Sequence, residues 1–230
     1  MLTFCAMAHP EPDRPSLTGQ AEDYLKAIYK LEQRGAAAGT NDIAARLRIA
    51  PASVTGMVQR LARLGLVKSE RYKGTRLTDA GRTAALQLVR RHRIIESYLV
   101  QRLGFGWEHV HEEAERLEHA ASDELIARMA EAIGNPTEDP HGAPIPAADG
   151  TIDETHLESL ADLAPGAEAT VMRMSDRDPE FLRYLDALGI RPGARISIVS
   201  REPFDGPLTI SVDGAAQVIG TNSAARVFIK

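Results

Sequence analysis

The sequence predicts a multidomain, mainly α protein: a winged helix-turn-helix, then a helical middle region, then a small β-barrel. Three observations predict it. Two short amphipathic helices joined by "RIA" lead into a basic hairpin, "RYKG". A long segment from Asp79 then keeps apolar residues at helical spacing. Beyond about residue 160, glycine-punctuated stretches alternate apolar and polar residues with a period of two.

Residues 1–16 are proline-rich and are expected to be disordered. "GQAEDYLKAIYKLEQRG" reads as a helix with Tyr24, Leu25, Ile28 and Leu31 on its apolar face and Gly35 as its stop. The first of the two short helices, capped by Thr40 or Asn41, should bury Ile43, Ala44 and Leu47. The second starts at Pro51, a residue suited to a first helical turn, and turns Val54, Val58, Leu61 and Leu64 inward. Strand-like pieces flanking "RYKG" complete a domain at 17–78. A long helix from Asp79 to about Leu103 follows, with Ala85, Leu88, Ile95 and Leu99 apolar. Another helix begins near Trp107 and a further one runs to Ile133, which sets a helical domain at 79–140. "NPTEDPHGAPIPAADG" reads as loop, with a linker over 141–159. Residues 160–230 form the barrel, interrupted by the helix "DPEFLRYLDALGI".

The net charge of −5 conceals a division. Residues 17–104 hold 16 Lys and Arg against 7 Asp and Glu, whereas residues 105–230 hold 10 against 23. A basic first half suits a polyanion, and an acidic second half suits cations or partner contacts. The single cysteine, Cys5, excludes a disulfide framework and a thiolate metal site. No apolar run approaches the roughly 20 residues of a membrane span. The start lacks the basic region of a signal peptide, so no membrane is expected and the cytoplasm is the expected location.

The chemistry gathers in "EHVHEEAERLEHAASDELI". At about 100° per residue, His111, Glu115, Glu118 and His119 share an arc of roughly 100°, apart from the stripe Val110, Ala114, Leu117 and Ala121. His92 and Glu96 form an i,i+4 pair on the preceding helix. Imidazoles and carboxylates without a thiol suit Mn²⁺ or Fe²⁺. Alone, such a face could also be a solvated polar surface.

In the amino-terminal domain the second short helix would enter a DNA major groove with its N-terminus first. It would present Ala52, Ser53, Thr55, Gly56, Gln59 and Arg60. Ser53 and Thr55 suit phosphate, Gln59 and Arg60 reach bases or backbone, and Ala52 and Gly56 allow close approach. In the wing, Lys68, Arg71, Tyr72, Lys73 and Arg76 would grip the backbone.

The pieces "EDYLKAIYKL", "PASVTGMVQRL", "GRTAALQLVRRHRIIESYL" and "VHEEAERLEHAASDEL" resemble the diphtheria toxin repressor family of metal-dependent transcriptional repressors, including its manganese-transport-regulator branch. The resemblance covers residues 17–230, with the tail similar to the SH3-like, FeoA-type domain of longer members. It implies a homodimer, formed through the helical middle region, that binds double-stranded DNA at a pseudo-palindromic operator. It implies a primary metal site of Asp23, Glu115, Glu118 and His119. A second site would use His92, Glu96 and His111, completed from "SDRDPEF" by Asp178 and Glu180, with Asp176 as a weaker candidate. Asp178 has a competing role as cap of the helix after it.

The iron-sensing branch has Met and Cys where this chain has Asp23 and Glu115, so the resemblance implies Mn²⁺, with Fe²⁺ open. Lys26 stands where the manganese branch often has a Glu, and a cation there opposes a close metal pair. Separated sites are therefore expected. The implied function is a Mn²⁺-responsive repressor of metal-homeostasis genes, in which metal joins the first helix to the dimerisation domain. Two rivals are a winged-helix regulator sensing an organic ligand and a metal-dependent hydrolase. No nucleophile or general-base constellation supports an enzyme, and no organic cofactor is expected.

Overall fold

The computed structural model describes residues 17–33, 35–70, 73–153, 155–176 and 178–230. Residues 1–16, where disorder is expected, lie outside them, as do Arg71 and Tyr72 of the wing. The chain divides into two compact units, residues 1–85 and 86–230.

The first unit holds α1 (Gly19–Glu32), α2 (Thr40–Leu47), α3 (Pro51–Arg63), β1 (Val67–Glu70), β2 (Gly74–Leu77) and the start of α4 (Asp79–Leu103). Thr18 caps α1 by accepting a hydrogen bond from the Ala21 amide at 3.3 Å. Tyr24, Leu25 and Ile28 of α1 are buried with Ile43 and Ala44 of α2 and with Val54, Val58 and Leu61 of α3. Two expectations fail here. Gly39, not Thr40 or Asn41, is the N-cap of α2, and it makes no side-chain bond. Leu64 is the C-cap of α3, where the chain turns away, and its side chain is 42% exposed.

Arg48 ends α2 in the left-handed region, at φ 56°, and Pro51 opens α3, giving the short helix-turn-helix connection. The wing is an antiparallel hairpin with Lys68 opposite Arg76. Gly81 docks the start of α4 against the end of α3. A Cβ there would stand 1.9 Å from the Leu66 carbonyl oxygen, so only glycine fits.

The second unit continues with α4, α5 (Val110–Leu117) and α6 (Asp123–Ala132), whose shared core includes Ile94, Ile95, Leu99, Val110, Ala114 and Ile126. The helix expected to carry His111, Glu115, Glu118 and His119 on one face ends at Leu117, so Glu118 is its C-cap and His119 lies in the turn before α6. Ser122 caps α6 by accepting from the Leu125 amide. The barrel comprises β3 (Glu158–Ser159), β4 (Glu168–Met174), α7 (Pro179–Ala187), β5 (Arg195–Arg201), β6 (Leu208–Val212), β7 (Ala215–Ile219), α8 (Thr221–Ala224) and β8 (Val227–Ile229). Its antiparallel order is β3-β8-β4-β5-β6-β7. The alternation in β6 is direct: Leu208, Ile210 and Val212 face the core, and Thr209 and Ser211 are partly exposed. No helix among the described residues is long and apolar enough to cross a membrane.

Residues 133–157 contain no helix or strand among those described, yet their middle is buried. Asp139 and His141 are buried at 6% and 0% exposure, with Ala143 and Ile145 beside them. The Arg90 guanidinium donates to the Pro146 carbonyl at 2.7 Å, and Arg93 donates to that of Pro144. The His141 carbonyl accepts from the Met174 amide at 3.1 Å. Gly142, at φ +81°, lies so close to β4 that a Cβ would stand 1.8 Å from the Met172 carbonyl oxygen. This loop is therefore a fixed element of the second unit, wedged between α4 and the barrel.

Candidate metal centre and nucleic-acid interface

On α4, His92, Glu96 and Arg93 are all buried, and α5 presents His111 to the first two. Glu96 Oε1, His92 Nε2 and His111 Nδ1 converge: the separations are 2.9 Å for His92–Glu96, 2.9 Å for His92–His111 and 3.1 Å for His111–Glu96. His92 Nδ1 lies 2.6 Å from Glu118 Oε2, and a carboxylate can only accept, so this nitrogen carries the proton. Adjacent ligands on an octahedral ion with bonds near 2.1 Å stand about 3.0 Å apart, which these three atoms match. Protons can also hold this cluster together as a hydrogen-bonded network, so its geometry fits an ion without requiring one.

The neighbouring cluster is different. Glu96 Oε2, Asp139 Oδ2 and His141 Nδ1 are fully buried and make no hydrogen bond among the described residues. His141 Nε2 lies 2.7 Å from the Trp107 carbonyl oxygen and must donate to it. That bond fixes the tautomer, so the neutral ring offers its Nδ1 lone pair to the cluster. His141 Nδ1 stands 4.0 Å from Glu96 Oε2, and 4.0 Å from Asp139 Oδ1, the oxygen that the loop amides engage rather than the unbonded Oδ2. Two ligands on one ion with bonds near 2.1 Å lie about 3.0 to 4.2 Å apart, depending on their angle.

Each unsatisfied buried polar atom costs about 1–3 kcal/mol, and a charged one costs more. A dication among three lone pairs would remove that penalty; Arg93 Nε, 3.4 Å from Asp139 Oδ2, compensates only one charge. The electrostatics agree. Burial would raise the Glu96 carboxyl, but the His92 charge and hydrogen bonds from His111 and His92 hold it well below the usual carboxylate range. Asp139 moves the other way, raised by burial and then by the Glu96 charge. Asp176, just after β4, joins Glu96 and His111 as a further three-donor group.

The remaining candidates are distributed as follows. Glu115 Oε1 stands 3.9 Å from His92 Nδ1 and 3.7 Å from His111 Nε2. Glu118 is fully buried at the C-cap of α5, and His119 Nε2 stands 3.6 Å from Glu118 Oε1. Asp23 is half-buried on α1 in the other unit. Asp178 acts as the N-cap of α7, accepting from the Phe181 amide at 3.2 Å with Arg226 3.4 Å from its other oxygen. Glu180 is exposed on the first turn of that helix. Of the three acids considered from "SDRDPEF", only Asp176 falls in a three-donor group with residues of α4 and α5.

Sequence alone does not single out Asp139 and His141. Their only signal is "EDPHG", an acid and a histidine two residues apart in a proline- and glycine-rich stretch, which looks like an ordinary loop. Asp139 Oδ1 accepts from the amides of His141 and Ala143 at 2.8 and 2.9 Å, so the loop folds around its own candidate ligand.

In the first unit, Ala52, Ser53, Thr55, Gly56, Gln59 and Arg60 are all exposed on α3. The Tyr24 hydroxyl donates to the Ser53 carbonyl at 3.3 Å and ties α3 to α1. A Cβ at Gly56 would meet nothing within 4 Å, so packing within the protein does not require glycine there. On the wing, Lys68, Lys73 and Arg76 are exposed, and Lys73 pairs with Glu70 at 2.7 Å.

Three family models match the chain in succession. Residues 16–75 match the N-terminal DNA-binding domain of iron-dependent repressors, residues 78–147 match their metal-binding and dimerisation domain, and residues 158–230 match the FeoA domain. The iron-dependent repressor IdeR of Mycobacterium tuberculosis (strain ATCC 25618 / H37Rv) is 31% identical over 214 residues, covering 88% of this chain and 92% of that protein. The diphtheria toxin repressor of Corynebacterium diphtheriae is 31% identical over 210 residues, covering 86% and 91%. A solved manganese-dependent transcriptional repressor in complex with manganese superposes with a TM-score of 0.85 at 38% identity, covering 91% of this chain and 99% of that one. A winged helix-turn-helix joined to a histidine- and carboxylate-lined helical core and a FeoA barrel defines a metal-dependent DNA-binding repressor. The chain belongs to the iron-dependent (diphtheria toxin) repressor family.

Proposed function

We propose that this chain is a Mn²⁺-responsive transcriptional repressor of metal-homeostasis genes, acting as a homodimer on a pseudo-palindromic operator. The observation that carries the metal assignment is the donor chemistry of the buried orphan trio Glu96, Asp139 and His141. Every candidate ligand on both sides of that trio is a carboxylate or an imidazole. An O/N set without a soft sulfur ligand leaves selection to geometry and availability, which suits Mn²⁺. The manganese named with the solved repressor at 38% identity supports the same choice. Fe²⁺ is the second reading, supported by the iron-dependent relatives at 31% identity.

Two ions are proposed. Asp23, Glu115, Glu118 and His119 would hold the primary one. Glu96, Asp139 and His141, with Asp176 and the His92–His111 pair beside them, would hold the second. When bound, each ion supplies positive charge that neutralises clustered carboxylates. In the primary site Glu115, Glu118 and His119 belong to the dimer-forming helices, whereas Asp23 belongs to the DNA-binding unit. Drawing these residues together would restrict the separation of two recognition helices, and half-sites one helical turn apart require a set separation. A ligand shifts that equilibrium only by its preference for the competent form.

The test is a gel shift on DNA upstream of the protein's own gene and neighbouring transporter genes. It compares chelator with equal free Mn²⁺, Fe²⁺ (anaerobic) and Zn²⁺. Binding should appear only with metal and at the lowest concentration with Mn²⁺. Equal binding in chelator would sink the sensor reading, and a first response to Fe²⁺ would replace manganese with iron.

A further inference from the structure

We propose that Trp107 is the positioning residue that couples the second ion site to the FeoA barrel. This rests on reading Glu96, Asp139 and His141 as an ion site. Trp107 meets His141 on one side and the barrel on the other. Its carbonyl oxygen accepts a hydrogen bond from His141 Nε2–H and so decides which ring nitrogen is offered to the ion. Its indole lies against the His141 ring, with centroids 5.6 Å apart and planes tilted by 31°. The same indole packs on the barrel core, and the Arg191 guanidinium sits 5.6 Å from its centroid.

Three residues further along, Val110 is fully buried in the helical core, and His111 beside it faces Glu96. The segment from Trp107 to His111 thus touches both cores and both donor clusters within five residues. A histidine ligand is held in orientation by the group that takes its other proton. If the indole is lost, that carbonyl has no anchor on the barrel, and the His141 ring loses both its hydrogen-bond geometry and its stacking partner. Loading the site, in turn, stiffens the seat of the barrel on α4 and α5.

Trp107 is the chain's single tryptophan, so its emission reports this clamp alone. The full-length protein, stripped with chelator, is titrated with Mn²⁺ by calorimetry while the emission maximum is followed. Position is read rather than intensity, because a paramagnetic ion quenches by proximity. Wild type should show two binding events, one with a shifted maximum, and His141→Ala should lose that event and the shift together. Trp107→Ala should weaken that event about 10- to 100-fold and leave the other unchanged, and Trp107→Phe should restore most of it.

Circular dichroism checks folding; should Trp107→Ala misfold, the Trp107→Phe and His141→Ala arms decide. Equal affinity of Trp107→Ala and wild type for both ions would overturn the clamp alone. So would an unmoved emission maximum in a wild type that still binds one ion more than His141→Ala. A wild type with no more sites than His141→Ala would overturn the ion site itself and the clamp with it.

Discussion

Under the proposed function, Gly56 and Asp139 are single residues that serve binding at the expense of stability. Glycine inside a helix is less favourable than alanine by about 1 kcal/mol, and nothing in the protein fills the space a Cβ would take at Gly56. Gly56→Ala should therefore raise the unfolding free energy by up to about 1 kcal/mol while weakening operator binding. Thermal melts and gel shifts on the same preparation check both halves. Asp139 makes the same point through charge. Burial and then the Glu96 charge raise its carboxyl, so in the metal-free protein it binds its proton more tightly folded than unfolded. Its contribution is favourable at low pH and is lost as pH rises through the raised value. Asp139→Asn keeps an acceptor for the His141 and Ala143 amides and removes the charge. In chelator at neutral pH this variant should melt at or above the wild-type temperature. Mn²⁺ should stabilise wild type by about 2.7 kcal/mol per site at a hundredfold excess over Kd, and the matching rise in Tm should shrink in the variant by the share of the lost ion.

At the scale of elements, the amphipathic helices were legible because burial at spacings of three and four residues needs no partner to recognise. Ala85, Leu88, Ile95 and Leu99 of α4 are buried as expected. The break after α5 is not legible in sequence, since "EHAASDE" holds no Gly or Pro and only the Ser122 cap marks a restart. The loop holding Asp139 and His141 has the composition of a surface connection. What holds it inside is non-local: Arg90 and Arg93 on its proline carbonyls, and β4 against Gly142. Gly142→Ala sets a methyl against the Met172 carbonyl at a left-handed backbone position and should push the loop off β4. We expect loss of the calorimetric event assigned to His141, with circular dichroism largely kept; an unaltered Mn²⁺ isotherm would show that the loop does not need this approach.

The whole molecule is electrically divided, with the excess of Lys and Arg in residues 17–104 and the acidic excess beyond them. Phosphate contacts release counterions, so operator affinity should fall steeply with salt. Lys68 is exposed on the wing, opposite Arg76. Lys68→Ala should weaken binding to specific and nonspecific DNA alike and lower the salt slope by about one. Binding titrations at several salt concentrations measure it, and an unchanged slope would remove Lys68 from the phosphate contacts.

The sequence by itself determined the order of parts, the exposed face of α3 and the residue types of the candidate metal centre. These depend on local periodicity, charge and ligand chemistry, all of which are written along the chain. Tertiary structure alone decided which atoms meet. It assigned Asp178 to a helix cap and brought Asp176 to Glu96 and His111. It also closed a proline-rich loop over α4, so that Glu96, Asp139 and His141 lie buried together. A carboxylate's role is set by what surrounds it, and surroundings assembled from residues about 45 positions apart have no periodicity to read.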